Sequence, residues 1–307
     1  MINCYRTLGD KITRLDTLEK NSWVHIVAPT PSELEAVHSF FGVEMDFLRA
    51  ALDEEETSRI EQEDNETLII IDLPVAFIEN GNTSYSTIPL GIILTNDVII
   101  TVSLNEMQVV SEFADGLVKN VHTSLKTRFV FQILLRVAKR YLHYLRQIDK
   151  MSVYIEKQLH TSMKNKDLIQ MLSLQKSLVY FSKSLKANEV TLQKLLRGRV
   201  IKLYEEDQDL LEDVLIEIKQ AIEMASIYSD IMTGTMNAFA SVISNNLSLV
   251  MKVLTSITIL MTIPNIIFGF YGMNVLDLPI PYTWAPLVIT IAAIAVSAYI
   301  LRKKNLL

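Results

Sequence analysis

The sequence predicts an α+β domain, long helices after it, and two C-terminal helices that cross a membrane. Three observations carry this. Runs rich in Ile, Val and Thr fill much of the region before residue 105, the pattern of strands. Every proline lies at position 29, 31, 74, 89, 264, 279, 281 or 286, so residues 90–263 hold none, as long helices require. Two runs of 18 residues, Val253–Phe270 and Trp284–Leu301, carry no charge. Half of the 307 residues are hydrophobic and 21% are charged, a balance too apolar for a soluble domain and ordinary for a membrane protein with a large water-facing part. The same composition excludes disorder. Cys4 is the sole cysteine, which excludes an internal disulfide and a Cys-based zinc site. The opening residues hold no apolar stretch, so no cleavable signal peptide is expected and the bulk of the chain is expected in the cytosol.

Within residues 1–118, Trp23–Pro29 reads as a strand. A helix opens at Pro31, with Ser32 as N-cap and Glu35 at capping-box spacing, and runs towards Phe40-Phe41-Gly42. Residues 67–79, 86–96 and 98–104 read as strands, and Asn80-Gly81 makes a hairpin turn between the first two. Residues 105–200 read as two or three helices, broken near His160–Lys166. A further helix starts near Leu203. Its positions 211, 218, 225, 232 and 239 are Leu, Ile, Ala, Met and Phe, and 215, 222, 229, 236 and 243 are Leu, Ile, Ser, Met and Ile. This is a heptad seam, read either as a buried helix face or as a self-associating stalk; its length favours the stalk.

Charge is segregated. Residues 1–118 hold 6 basic and 21 acidic side chains, residues 119–202 hold 18 and 4, and residues 203–250 hold Lys219 against nine acids. Such blocks are read as solvated or mutually pairing faces. The basic block lacks clustered aromatics, so no nucleic-acid partner is expected.

The two uncharged runs are read as membrane spans. Lys252 precedes the first; Arg302, Lys303 and Lys304 follow the second; the connection between them has Asp277 as its one charge. The positive-inside rule therefore puts both termini in the cytoplasm, across the cell's inner membrane. Tyr271, Tyr282 and Trp284 fit the outer aromatic belt. Stalk and first span form one helix, since Asp207–Ile263 holds no breaker beyond Gly234; from 207 to 270 it is roughly 95 Å long. The expected divisions are an α/β domain at 1–118, a basic helical hairpin at 119–202, a stalk at 203–246, the first span at 247–270, an outer loop at 271–283, the second span at 284–301 and a basic tail at 302–307.

The first span carries Ser248, Thr255, Thr258, Thr262 and Asn265. At about 100° per residue they share one 100° arc, together with Gly269. Such a stripe serves either helix packing or a water-lined pore. A carboxamide at membrane depth favours the pore. Two spans cannot enclose an ion path, so several chains must surround an axis.

The stripe ends in Phe270-Tyr271-Gly272-Met273-Asn274. Tyr-Gly-Met-Asn closing the first of two C-terminal spans, before a short loop and a basic end, resembles the CorA family of magnesium transporters. The run from Asn245 through Val250-Met251-Lys252-Val253-Leu254-Thr255 is similar to that family's pore helix, and the order of acidic domain, hairpin and stalk extends the resemblance over essentially the whole chain. It implies a homopentameric funnel that passes Mg²⁺ and Co²⁺. Tyr271, Gly272, Met273 and Asn274 would form the outer selectivity motif, and Ser248, Met251, Thr255, Thr258, Thr262 and Asn265 would line the pore. It also implies gating by cytosolic Mg²⁺ held between subunits, with Asp213 the stalk acid. Where the family has a Glu-Asp pair this chain has Arg49-Ala50, so Asp53, Glu54, Glu55 and Glu56 are the substitute acids. The outer loop keeps only Asp277, and the hairpin is basic where some relatives have an acidic one.

Two other readings stand beside it. One is a zinc transporter of the related ZntB branch, against which Met273 argues. The other is a membrane-anchored sensor that does not conduct. An enzyme is not expected: His25, His38, His122, His143 and His160 have no ligand spacing, and no nucleophile motif is present. No nucleotide is expected either, because no Gly-rich Lys-Ser or Lys-Thr loop occurs.

Overall fold

The structure is a computed structural model. It describes the whole chain except residues 10, 80, 163, 198–200, 202–203, 274–278, 281, 305 and 307. The chain divides into two compact units, Met1–Gly234 and Thr235–Leu307.

Strand β1 (Ile2–Leu8), β2 (Lys11–Leu15) and β3 (Ser22–Val27) open the first unit. Helices α1 (Pro31–Phe41) and α2 (Met45–Ala50) follow, then β4 (Arg59–Glu63), β5 (Glu66–Glu79), β6 (Asn82–Leu94) and β7 (Val98–Ser103). These strands form one sheet in the order β2-β1-β3-β7-β6-β5-β4. Among the described residues only β3 and β7 pair in parallel. The central stretches of β3, β5, β6 and β7 are rich in apolar residues because both faces are covered there. Leu68 and Ile70 join Val24, Ile100 and the helical residues Leu34, Val37, Phe47 and Leu48 in one core cluster. Alternate residues Ile69 and Ile71 are equally buried and point the opposite way.

The sequence pattern placed β3, β5, β6 and β7 within a few residues of where they lie. It did not show β1, β2, β4 or α2. The N-cap of α1 is also different. Thr30, not Ser32, caps the helix, and Glu33, not Glu35, closes the capping box: its carboxylate accepts from the Thr30 N–H at 2.8 Å. Pro31 then sits at the first helical position, where its missing N–H costs nothing. The β5–β6 hairpin closes at Glu79 and Asn82, with Gly81 at φ 79°; Asn80 of the turn lies outside the described residues.

Two prolines fall inside the long strands. Pro74 and Pro89 lie beyond the stretches of β5 and β6 that β4 and β7 reach, so no ladder bond is lost. There the helices serve as partners. Asn188 accepts from the Asp72 N–H and donates to the Asp72 carbonyl, both at 2.9 Å, and the Tyr141 hydroxyl donates to that carbonyl at 2.9 Å.

Helices α3 (Gln108–Ala114), α4 (Lys126–Thr161) and α5 (Asn165–Leu196) complete the first unit with the start of α6 (Glu205–Tyr271). Trp23, Phe129 and Phe113 stack edge to face, as do Tyr141 and Phe181, which fixes α4 and α5 on the sheet. The seam on α6 is spoken for within the chain. Leu211, Ile218, Ala225 and Met232 are all buried, and Gln175 of α5 donates to Thr233 at 2.9 Å. The stalk's first heptad column is therefore a buried helix face, the alternative the sequence left open. The exposed apolar residues of α6 here are Ile216, Ile227 and Ile231, on a different face.

Candidate functional site

The second unit holds the rest of α6 and α7 (Ala285–Lys303). Both helices have apolar stretches of spanning length, and only 6% of the α6 window and 17% of the α7 window are buried inside the chain. A core helix of a soluble protein is mostly buried. These need lipid or other copies to cover them. Pro264 lies inside α6, where it removes one helical hydrogen bond at membrane depth.

Every member of the predicted stripe is exposed in the single chain: Ser248, Met251, Thr255, Thr258, Thr262 and Asn265. The covered residues of the same stretch are Ser256, which is fully buried, and Leu260, Ile263, Pro264 and Ile267, which are half-buried. The two sets lie roughly 150° apart around the helix. The stripe is therefore the face that this unit leaves open. Ser256 marks the other face. Its hydroxyl lies 2.9 Å from the Lys252 carbonyl and 2.6 Å from the carbonyl of Leu306, so the backbone at Leu306 lies against α6. Sequence reasoning missed Ser256, although its angle around the helix already separates it from the stripe.

The hydroxyls of the stripe all turn back on their own helix. Ser248 donates to Ser244 at 3.0 Å, Thr255 to Met251 at 2.7 Å, Thr258 to Leu254 at 2.8 Å and Thr262 to Thr258 at 2.7 Å, each to a backbone carbonyl. A hydroxyl with its proton so engaged keeps two lone pairs. The open face thus presents hydrogen-bond acceptors.

At the end of α6, Tyr271 donates to the Pro279 carbonyl at 3.0 Å. Gly272 N–H reaches the Phe268 carbonyl at 2.9 Å, and a Cβ on Gly272 would sit 3.1 Å from that oxygen, so glycine lets the chain leave the helix here. Met273 is exposed. Asn274 and Asp277 lie outside the described residues. Tyr282 and Trp284 stack with ring centroids 5.7 Å apart and are both exposed, as a membrane-interface pair would be.

The acids expected to sense Mg²⁺ do not meet within one chain. Asp213 is exposed on α6. Asp53 closes a turn after α2 by accepting from Glu55 N–H at 3.0 Å, and Glu56 pairs with Arg59. Glu54 and Glu55 are exposed, and Arg49 and Ala50 close α2. Among the described residues no three His, Cys, Asp or Glu side chains gather as a metal site.

A sheet domain, a helix of 67 residues and two apolar helices of spanning length are the layout of a membrane protein with a large water-facing domain. The chain belongs to the CorA family: the family model described as CorA-like Mg2+ transporter protein matches residues 19–303. The cobalt/magnesium transport protein CorA of Methanocaldococcus jannaschii is 27% identical over 296 residues, covering 92% of this chain and 90% of that one. The complete structure of the CorA magnesium transporter from the same organism superposes with a TM-score of 0.82 at 24% identity, over 98% and 97% of the two chains. The cytoplasmic domain of ZntB from Vibrio parahaemolyticus superposes with a TM-score of 0.61 at 13% identity, over 80% and 97%. Both superpositions speak for the fold alone.

Proposed function

We propose that five copies of the chain surround one axis and conduct Mg²⁺, with Co²⁺ as a second ion, into the cell. The observation that carries this is the open acceptor-lined face of α6. One chain has too few spans to enclose an ion path, and the stripe faces none of its own unit's covered side. Ringed copies give it a use. The number five rests on the family resemblance. On the stalk, Ile216, Ile227 and Ile231 share about 60° of helix surface with Asp213 and remain exposed, which suits contact with a neighbouring copy.

Mg²⁺ sheds its inner waters reluctantly. A pore that keeps those waters needs acceptors for their protons, and the stripe hydroxyls, the Gly272 carbonyl and the Asn274 carboxamide supply them. Neutral acceptors also release a dication that a ring of carboxylates would hold. The driving force is the membrane potential, about 4.6 kcal/mol for two charges per 100 mV. Lys252, Arg302, Lys303 and Lys304 put both termini in the cytoplasm. Cytosolic Mg²⁺ then closes the pore by bridging Asp213 of one copy to acids among Asp53–Glu56 of another.

The test is flux into liposomes against a panel of Mg²⁺, Co²⁺, Ni²⁺ and Zn²⁺. Mg²⁺ entry that rises with inside-negative potential, and loses its selectivity in Asn274→Ala without loss of assembly, is the expected result. Zn²⁺ entry in preference to Mg²⁺ would support the ZntB reading. No flux of any ion through an assembled oligomer would support the non-conducting sensor.

A further inference from the structure

We propose that one end of the first unit docks on the anionic face of the bilayer. Hydrogen bonds fix which segments share that end. β6 runs beside α5: Thr87 meets Ser184 at 2.8 Å, Tyr85 N–H meets Ser177 at 3.0 Å, and Ser84 meets Ser173 at 2.8 Å. The start of β6 and the start of α5 therefore lie together. Phe77 and Ile78 pair with Ser84 and Thr83, so the tip of the β5–β6 hairpin belongs there too. Tyr85 also donates to Gln147 of α4 at 3.1 Å, which brings the C-terminal turns of α4 to the same end. Gln175 meets Thr233 beside Gly234, the last residue of the first unit.

This end is apolar where a soluble surface would be polar. Ile78 is 81% exposed, Tyr154 and Ile169 are 64% exposed each, and Leu172, Val153 and Phe77 are exposed beside them. Exposed Lys157, Lys164 and Lys166 stand among them, and the surrounding hairpin is the basic block of the chain. Apolar and aromatic side chains framed by lysine make a surface that lies in a headgroup layer. The acidic leaflet of a cytoplasmic membrane supplies the matching charge. The docking goes beyond the transport reading and rests only on its cytosolic placement of the first unit.

The experiment uses the full chain with Cys4→Ser and a fluorophore on Ile169→Cys, reconstituted in bilayers that carry headgroup nitroxide lipids. In bilayers with about a third phosphatidylglycerol the label should be quenched, and each lysine neutralised to Gln should weaken docking by about fivefold. Lys157→Glu, Lys164→Glu and Lys166→Glu together should abolish quenching, as should pure phosphatidylcholine. Tyr154→Ser should reduce it with the charges intact. Quenching independent of lipid charge and of the lysines would overturn the proposal. So would a label equally shielded in detergent, which would mean that a second copy covers this end. For the wild-type chain, docking without ion uptake would count against the transport reading alone, and uptake without docking against this one alone.

Discussion

Thr258 shows how much one residue position decides. Its hydroxyl proton is held by the Leu254 carbonyl at 2.8 Å, so what it offers outward is oxygen. Thr258→Val keeps the shape and removes that oxygen from every copy at once. Mg²⁺ flux in liposomes should fall by about tenfold, since each ring then leaves water protons of the ion without acceptors. Thr258→Ser keeps the acceptor and should conduct near the wild-type rate. Equal flux in the Val and Ser variants would mean that the stripe serves helix packing. Residue spacing alone makes this face legible, because 100° per residue is a property of every helix. The residue-level cap of α1 was less legible: Thr30 and Ser32 both suit the role, and Pro31 between them settles it by fixing where helical φ begins.

Elements were legible where burial shaped their composition. The stretches Leu68–Ile71 of β5, Leu90–Leu94 of β6 and Val98–Val102 of β7 are buried on both faces and read as largely apolar runs. β2 and β4 are the edge strands of the sheet, with sequences Lys-Ile-Thr-Arg-Leu and Arg-Ile-Glu-Gln-Glu, and take their structure from a partner strand. The heptad seam of α6 had two readings for a related reason. A seam records that one face is covered, not which chain covers it. The central parallel pair β3–β7 carries a testable cost. His25 on β3 is buried, its Nδ1 lies 3.0 Å from the Thr101 hydroxyl of β7, and its Nε2 has no partner among the described residues. Burial, with a smaller push from the N-terminal amine, lowers its pKa to about 4. The unfolded chain protonates near pH 6.5, so the unfolded state binds the proton first as pH falls. Stability should be full above about pH 6.5 and decline towards pH 4, with a total near 3 kcal/mol at about 1.4 kcal/mol per pH unit. Denaturation midpoints of wild type and His25→Gln between about pH 7 and 5, above the carboxylate range, measure it. A wild-type slope no steeper than that of the variant would show that His25 is already charged in the fold.

At the scale of the whole molecule, the acids proposed to gate the pore are legible one by one, but their proposed meeting is not, because it requires a second copy. Asp213 stands exposed on α6, and in the turn at Asp53–Glu56 Glu56 is paired with Arg59 while Asp53, Glu54 and Glu55 are exposed. Acids set opposite each other repel while no cation lies between them and are drawn together when one does. Closure by cytosolic Mg²⁺ follows if the closed ring holds the ion better than the open one, and the coupling equals that difference in affinity. Mass measurement in detergent should find a pentamer with and without Mg²⁺, because the apolar faces of α6 and α7 do not depend on the ion; a dimer as the largest species would remove the pore. Within that pentamer, Asp213→Asn deletes one charge from each site. Its flux should persist at several-fold higher internal Mg²⁺ than wild type, and Glu56→Gln, whose carboxylate is already paired with Arg59, should shift the curve less. Superimposable inhibition curves for wild type and Asp213→Asn would make Asp213 a solvated stalk residue. Gating would then have to come from contacts that bind no ion at this site.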